Sequence, residues 1–127
     1  MYSMFQGCSS LTSLDLSHFD TKKVTSMGQM FYGCNSLNGL DLSSFNTSNV
    51  TYMGFMFFLC SNLSSLNVSS FDTKNVTGMR MMFGACRNLT SLDVSGFDVQ
   101  SATDLSEMFA NCSGLTTLDV KIGRAHV

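Results

Sequence analysis

Proline and tryptophan are absent from the 127 residues, and only 13% of the side chains are charged. With no proline, no Gly/Ser tract and no charge block, nothing in the chain reads as a linker, and we expect no internal domain boundary. Basic residues are few: seven Lys and Arg, scattered, against nine Asp and Glu, for a net charge of −2. Nucleic acids and anionic membranes are met by basic patches, so neither is expected as a partner. Long apolar runs are missing as well. The longest, Phe55 to Cys60 within TYMGFMFFLC, lies mid-chain. A spanning helix needs roughly 20 apolar residues, and a signal peptide needs an apolar core behind a basic amino terminus. This segment is neither, and no membrane insertion by it is expected.

What the chain does have is a period. Its five cysteines, Cys8, Cys34, Cys60, Cys86 and Cys112, are each 26 residues apart. The same interval relates Met4, Met30, Met56, Met82 and Met108, then Phe5, Phe31, Phe57, Phe83 and Phe109. Leu11, Leu37, Leu63, Leu89 and Leu115 keep it too, as do Leu14, Leu40, Leu66, Leu92 and Leu118. A fixed period in this range is the signature of a solenoid, each repeat forming one coil stacked on the next. A lone coil cannot cover its own apolar faces, so about three or more must stack.

The pattern runs to Leu118-Asp119-Val120 and breaks at KIGRAHV, where Gly123 stands in the phenylalanine column. We therefore expect one solenoid domain over residues 1–121. Residues 122–127, IGRAHV, are similar to the translation of a common sequencing-library adapter and read as a non-native tail. Met1 shares a column with Met27, Met53 and Met79, which suggests a methionine internal to a longer reading frame and end caps lying elsewhere.

Within a coil, Met27, Met30, Phe31 and Cys34 have the i, i+3, i+4, i+7 spacing of one helix face, which predicts a short helix. Thr25, Thr51, Thr77 and Thr103 precede these segments and are expected to be N-caps. After the cysteine, Leu37-x-x-Leu40-x-Leu42 ends in the alternation of a short strand. The predicted fold class is an α/β repeat solenoid of 26-residue units, each a short strand plus a short helix, with a parallel sheet on one face. Nine side chains of the second coil should point inward: Met27, Met30, Phe31, Cys34, Leu37, Leu40, Leu42, Phe45 and Val50.

The unit L-x-x-L-x-L-x-x-F joined to D-T-x-x-V-T-x-M-x-x-M-F-x-x-C, cleanest in LTSLDLSHFDTKKVTSMGQMFYGC, resembles the leucine-rich repeats of the BspA type, or mycoplasma-type lipoprotein repeats. The resemblance covers residues 1 to about 121. It implies a right-handed leucine-rich-repeat solenoid on an extracellular or cell-surface protein of the adhesin type, binding host proteins or other ligands without catalysis. Phe19, Phe45, Phe71 and Phe97 stand where leucine-rich repeats usually carry an asparagine ladder, and are expected to form a spine in its place. No ligand, cofactor or catalytic residue carries over.

The cysteines could form a disulfide framework, a metal site or plain core. Stacked coils set equivalent Cα atoms roughly 4.8 Å apart, but their Cβ vectors run parallel, which disfavours bridging. With an odd count and no C-x-x-C, zinc is disfavoured too, leaving buried free thiols. His18 is the one histidine outside the tail, and the polar residues mostly repeat rather than converge, so neither catalysis nor a cofactor is expected.

Two outward faces are candidate binding sites for a protein or glycan. The first is the sheet-face strip of Asp15, Asp41, Asn67, Asp93 and Asp119, flanked by Ser17, Ser43, Ser69 and Ser95. Stacked like charges repel, so these carboxylates need serine hydrogen bonds or an external cation or basic ligand. The second is an apolar patch on the opposite side, made of Tyr32, Tyr52, Phe55, Phe58 and Met81. Asp20, Asn46, Asp72 and Asp98 read as turn residues. Sequons occur at Asn46, Asn49, Asn62, Asn67, Asn75, Asn88 and Asn111. The expected role is therefore a binding module within a longer array of repeats; a spacer that projects another domain, or an intracellular scaffold suited to free thiols, are the alternatives.

Overall fold

A computed structural model describes residues 1–119, and the expected domain boundary and tail lie outside the described residues. The chain winds into stacked coils whose contacts recur at intervals of 25 to 29 residues. The core is columnar. Of the nine side chains expected to point inward from the second coil, eight are buried, and Leu40 is half-buried. Phe5, Phe31, Phe57, Phe83 and Phe109 form a continuous stack with ring centroids 5.6 to 5.8 Å apart. The second column, Phe19, Phe71 and Phe97, packs against that stack from one side. The spine therefore runs through the column next to the methionines, flanked by the phenylalanines in the asparagine-ladder position.

The Met-Phe-Cys segment is where structure and expectation part. Among the described residues there is no helix. Met27, Gln29, Phe31 and Gly33 donate their N–H groups to Tyr52, Gly54, Met56 and Phe58 of the next coil, at 2.8 to 3.0 Å. The residues between them, Met30, Tyr32 and Cys34, donate back to Met27, Gln29 and Phe31. Odd positions thus bond between coils and even positions close turns within the coil. An α-helix would direct every N–H to the carbonyl four residues earlier and leave none for the neighbouring coil.

This winding needs positive φ at two places per coil, found at Gln29 and Gly33, Phe55 and Leu59, Met81 and Ala85, and Glu107 and Asn111. These are third positions of successive tight turns, where a type II geometry favours glycine; only Gly7 and Gly33 meet that preference. Met27, Met30, Phe31 and Cys34 still face inward, because two consecutive turns reproduce the helical face spacing.

The strand expectation is met in the last two described coils. β1 (Ser91–Asp93) pairs in parallel with β2 (Thr117–Asp119), Leu92 opposite Leu118. Earlier coils are joined on this side by single bonds, such as Asn38 N–H to the Thr12 carbonyl. The Asp15 and Asp41 side chains accept the N–H of Ser17 and Ser43, as Asp93 does from Ser95, and the chain turns just after the aspartate in each of these coils. A second inter-coil seam runs through Ser26, Tyr52, Gly78 and Asp104, bridged in sequence.

Two threonine columns tie the coils together. The expected N-caps have another function: Thr51, Thr77 and Thr103 donate both N–H and hydroxyl to the carbonyl of the threonine one coil earlier. The sequence reading did not single out Thr21, Thr47 and Thr73, which are about 1% exposed. Each hydroxyl donates to the carbonyl, and accepts from the N–H, of one residue in the next coil: Asn46, Asp72 and Asp98. Val99 ends this column. Thr47→Val keeps the shape but leaves the Asp72 N–H and carbonyl without their partner. It is expected to cost about 1–3 kcal/mol of unfolding free energy, read by chemical denaturation.

Candidate functional site

On the sheet side Asp15, Asp41, Asn67 and Asp93 are exposed, one per coil, and backbone register sets Asp119 opposite Asp93. Each side-chain oxygen of the first four accepts the N–H of the serine two residues on, at 2.9 Å. Ser17 also donates its hydroxyl to Asp15. Those serine hydroxyl and backbone bonds hold the Asp15 and Asp41 carboxyls below their ordinary value. Local serines thus fix the orientation of the column.

Clefts open between these side chains. One, about 570 Å³, is lined by Ser65, Asn67, Ser69, Ser91, Asp93 and Thr117 over a floor of Leu66, Val68 and Leu92. Two smaller ones, each about 70 Å³, continue it past Asp41 and Asn67, then Asp15 and Asp41. Small side chains over buried leucines leave a shallow polar trough across several coils.

The opposite side carries the aromatic residues, and the structure divides them. Tyr32, Phe55 and Phe58 cluster, with centroids 5.0 to 6.2 Å apart and Phe55 edge-on to Phe58. All three are half-buried, as is Met81, the column neighbour of Phe55. They pack mainly on one another, with Phe58 lying over Gly84. Tyr52 stands apart from this cluster, across the backbones of Gly28, Gly54 and Gly78. Sequence columns put these residues on one side of the stack but did not show that Tyr52 lies against glycine backbone while Tyr32, Phe55 and Phe58 pack together.

The five thiols are free. Cys34, Cys60, Cys86 and Cys112 donate S–H to the carbonyls of Phe5, Phe31, Phe57 and Phe83 one coil earlier, at 2.9 to 3.2 Å. Burial pushes the Cys34 thiol up to about 11 and Cys86 to about 12, and raises Cys60 and Cys112 in the same direction. Such thiols are poor nucleophiles at neutral pH. Among the described residues no His, Cys, Asp and Glu group is arranged to hold a metal ion, and no helix is long and apolar enough to cross a membrane. His18 and all seven sequon asparagines are exposed. The ion pairs Lys22–Asp20, Lys74–Asp72 and Arg80–Glu107 span 3.5 to 4.0 Å in water and contribute little.

The comparisons with known proteins agree with this architecture. Residues 1–120 match the family model described as "Mycoplasma protein of unknown function, DUF285". Among solved structures the chain is similar to the leucine-rich repeat protein of T. pallidum, TpLRR, at 18% identity and a TM-score of 0.55. The match covers 93% of this chain and 60% of that protein, and it establishes a leucine-rich-repeat fold. No curated protein matches the sequence.

Two measurements follow from the geometry. Since the folded Asp15 and Asp41 carboxyls ionise more readily than unfolded ones, their contribution is complete above the ordinary value of 3.8. It is lost as pH falls from there through the lowered folded values. Carboxyl NMR titration should show Ser17→Ala and Ser43→Ala moving each aspartate back toward 3.8; unmoved titrations would contradict the assigned cause. Iodoacetamide at neutral pH should label Cys34, Cys60 and Cys86 only after denaturation, whereas rapid native labelling would mean the core is open.

Proposed function

The chain belongs to the family described as Mycoplasma protein of unknown function, DUF285, and on that premise we propose that it is an interaction module of a surface protein, binding a protein partner along its sheet side. The observation that carries the reading is the trough of about 570 Å³ across three coils, edged by side chains that local serines hold in place. One oriented carboxylate or amide per coil suits an extended segment laid along the stack with a polar or basic group at each coil. Pre-ordered groups lose little freedom on binding, so shallow contact can still give affinity. The half-buried Tyr32, Phe55 and Phe58 are assigned a supporting role on the outer surface.

The likeness to BspA-type repeats supports a place outside the cell and an adhesin role toward host proteins, with neighbouring repeats of a longer chain extending the face. Cys34, Cys60 and Cys86 are buried, so these thiols do not favour a reducing compartment over an oxidising one.

The test is biolayer interferometry against a panel of purified host-surface proteins. At least one is expected to bind in a salt-sensitive way, and Asp41→Ala, Asn67→Ala and Asp93→Ala together should weaken it by about tenfold or more. A variant that binds as well as the original would remove the sheet face from the account. Binding to no member of the panel would favour a spacer that only projects another domain.

A further inference from the structure

We propose that the outer face of the Tyr52 ring is a stacking platform for a pyranose, making this side of the solenoid a glycan-binding subsite. It is separate from the sheet-side trough, and either can fail alone.

The site is built on two adjacent columns. One holds Ser26, Tyr52, Gly78 and Asp104, joined coil to coil by parallel bridges. The other, two residues further along each coil, holds Tyr2, Gly28, Gly54, Arg80 and Ser106. A Cβ added at Gly28, Gly54 or Gly78 would fall under 3.0 Å from the Tyr52 ring. The atoms met are Cδ2 and Cε2 at Gly28, the hydroxyl end at Gly54, and Cδ1 and Cε1 at Gly78. Both edges and the tip of the ring therefore rest on bare backbone, so the ring lies flat against the coils and turns its other face outward. Tyr52 is half-buried, consistent with one covered face.

What surrounds the ring selects the ligand. Arg80 and Asp104, both exposed, follow the glycines at one end. Asp104 accepts the N–H and hydroxyl of Ser106, which hold its carboxyl below the ordinary value and so charged. Tyr2, 55% exposed, approaches Gly28 at the other end. Burial raises the Tyr52 hydroxyl, and Tyr2, Asp104 and Arg80 all lie near enough to bias it.

A flat π face takes the C–H face of a sugar ring, while an acceptor and a donor beside it take vicinal hydroxyls. Three coils at about 4.8 Å each span roughly 10 Å, the length of a disaccharide. A nucleic acid would meet a chain of net charge −2, and a cationic ligand would meet Arg80. A neutral oligosaccharide meets neither obstacle.

The chain has three tyrosines and no tryptophan, so its emission comes from Tyr2 and Tyr52 at this site and from Tyr32 in the separate cluster, and amide NMR locates the change. The protein is titrated with cellotriose, chitotriose and lactose, followed by tyrosine fluorescence and amide NMR. At least one sugar is expected to give saturable changes centred on Gly28, Gly54 and Gly78. Tyr52→Phe should keep the binding, and Tyr52→Ala should weaken it by about tenfold or more. Asp104→Asn and Arg80→Ala should weaken it as well, and they carry the test if circular dichroism shows Tyr52→Ala unfolded. No saturable change with any of the three sugars, changes centred elsewhere, or unaltered binding by the folded variants would overturn the proposal. A protein partner on the sheet side should be indifferent to all four substitutions.

Discussion

Hydrogen bonds from one coil to the next, made by alternate residues of the Met-Phe-Cys segment, set the geometry on which the rest depends. Met27, Gln29, Phe31 and Gly33 donate forward, and the carbonyls of Gly28, Met30 and Tyr32 accept from Ser3, Phe5 and Gly7 behind. The remaining groups of the segment close the turns. Backbone polarity is thereby met without a helix, as a buried segment requires. Once coils are held at this spacing, equivalent phenylalanines must stack, equivalent cysteines reach the preceding carbonyl, and buried threonines bridge to the next coil.

The same constraint explains why surface and core differ in regularity. Inward columns repeat almost without change, because each side chain packs against its own counterpart one coil away. Outward columns are free to vary, and they do so locally: Tyr32, Phe55 and Phe58 gather on one side, and Tyr52 sits where three glycines leave room. On the sheet side the oriented column of Asp and Asn keeps nearly the core's regularity. One face thus carries a repeating polar trough, and the other an aromatic cluster and a separate Tyr52.

Period, inward columns and free thiols were legible in the residues, since each follows from spacing and side-chain chemistry; for the carboxylate column the residues left serine hydrogen bonds and an external cation or basic ligand both open. The helix was not legible. Its spacing at Met27, Met30, Phe31 and Cys34 is shared by paired turns, and the positive φ of Gln29, Phe55 and Met81 has no marker in those residue types. Only Gly7 and Gly33 hinted at it. The threonine caps failed for the same reason, because without a helix there is no N-terminus to cap. The ladder of Thr21, Thr47 and Thr73 was open to view as an unbroken column, but a threonine in a turn gives no sign that it is buried. The separation of Tyr52 from its aromatic neighbours depended on which glycines adjoin it across coils, information that only the stacked register supplies.

The central claim is that this segment bonds forward to the next coil instead of winding on itself. Through-hydrogen-bond NMR couplings measure that directly. The account predicts a coupling from the Phe57 amide nitrogen to the Met82 carbonyl carbon, and from Phe31 to Met56. A coupling from Phe57 back to the carbonyl of Met53, the partner four residues earlier in an α-helix, would contradict it.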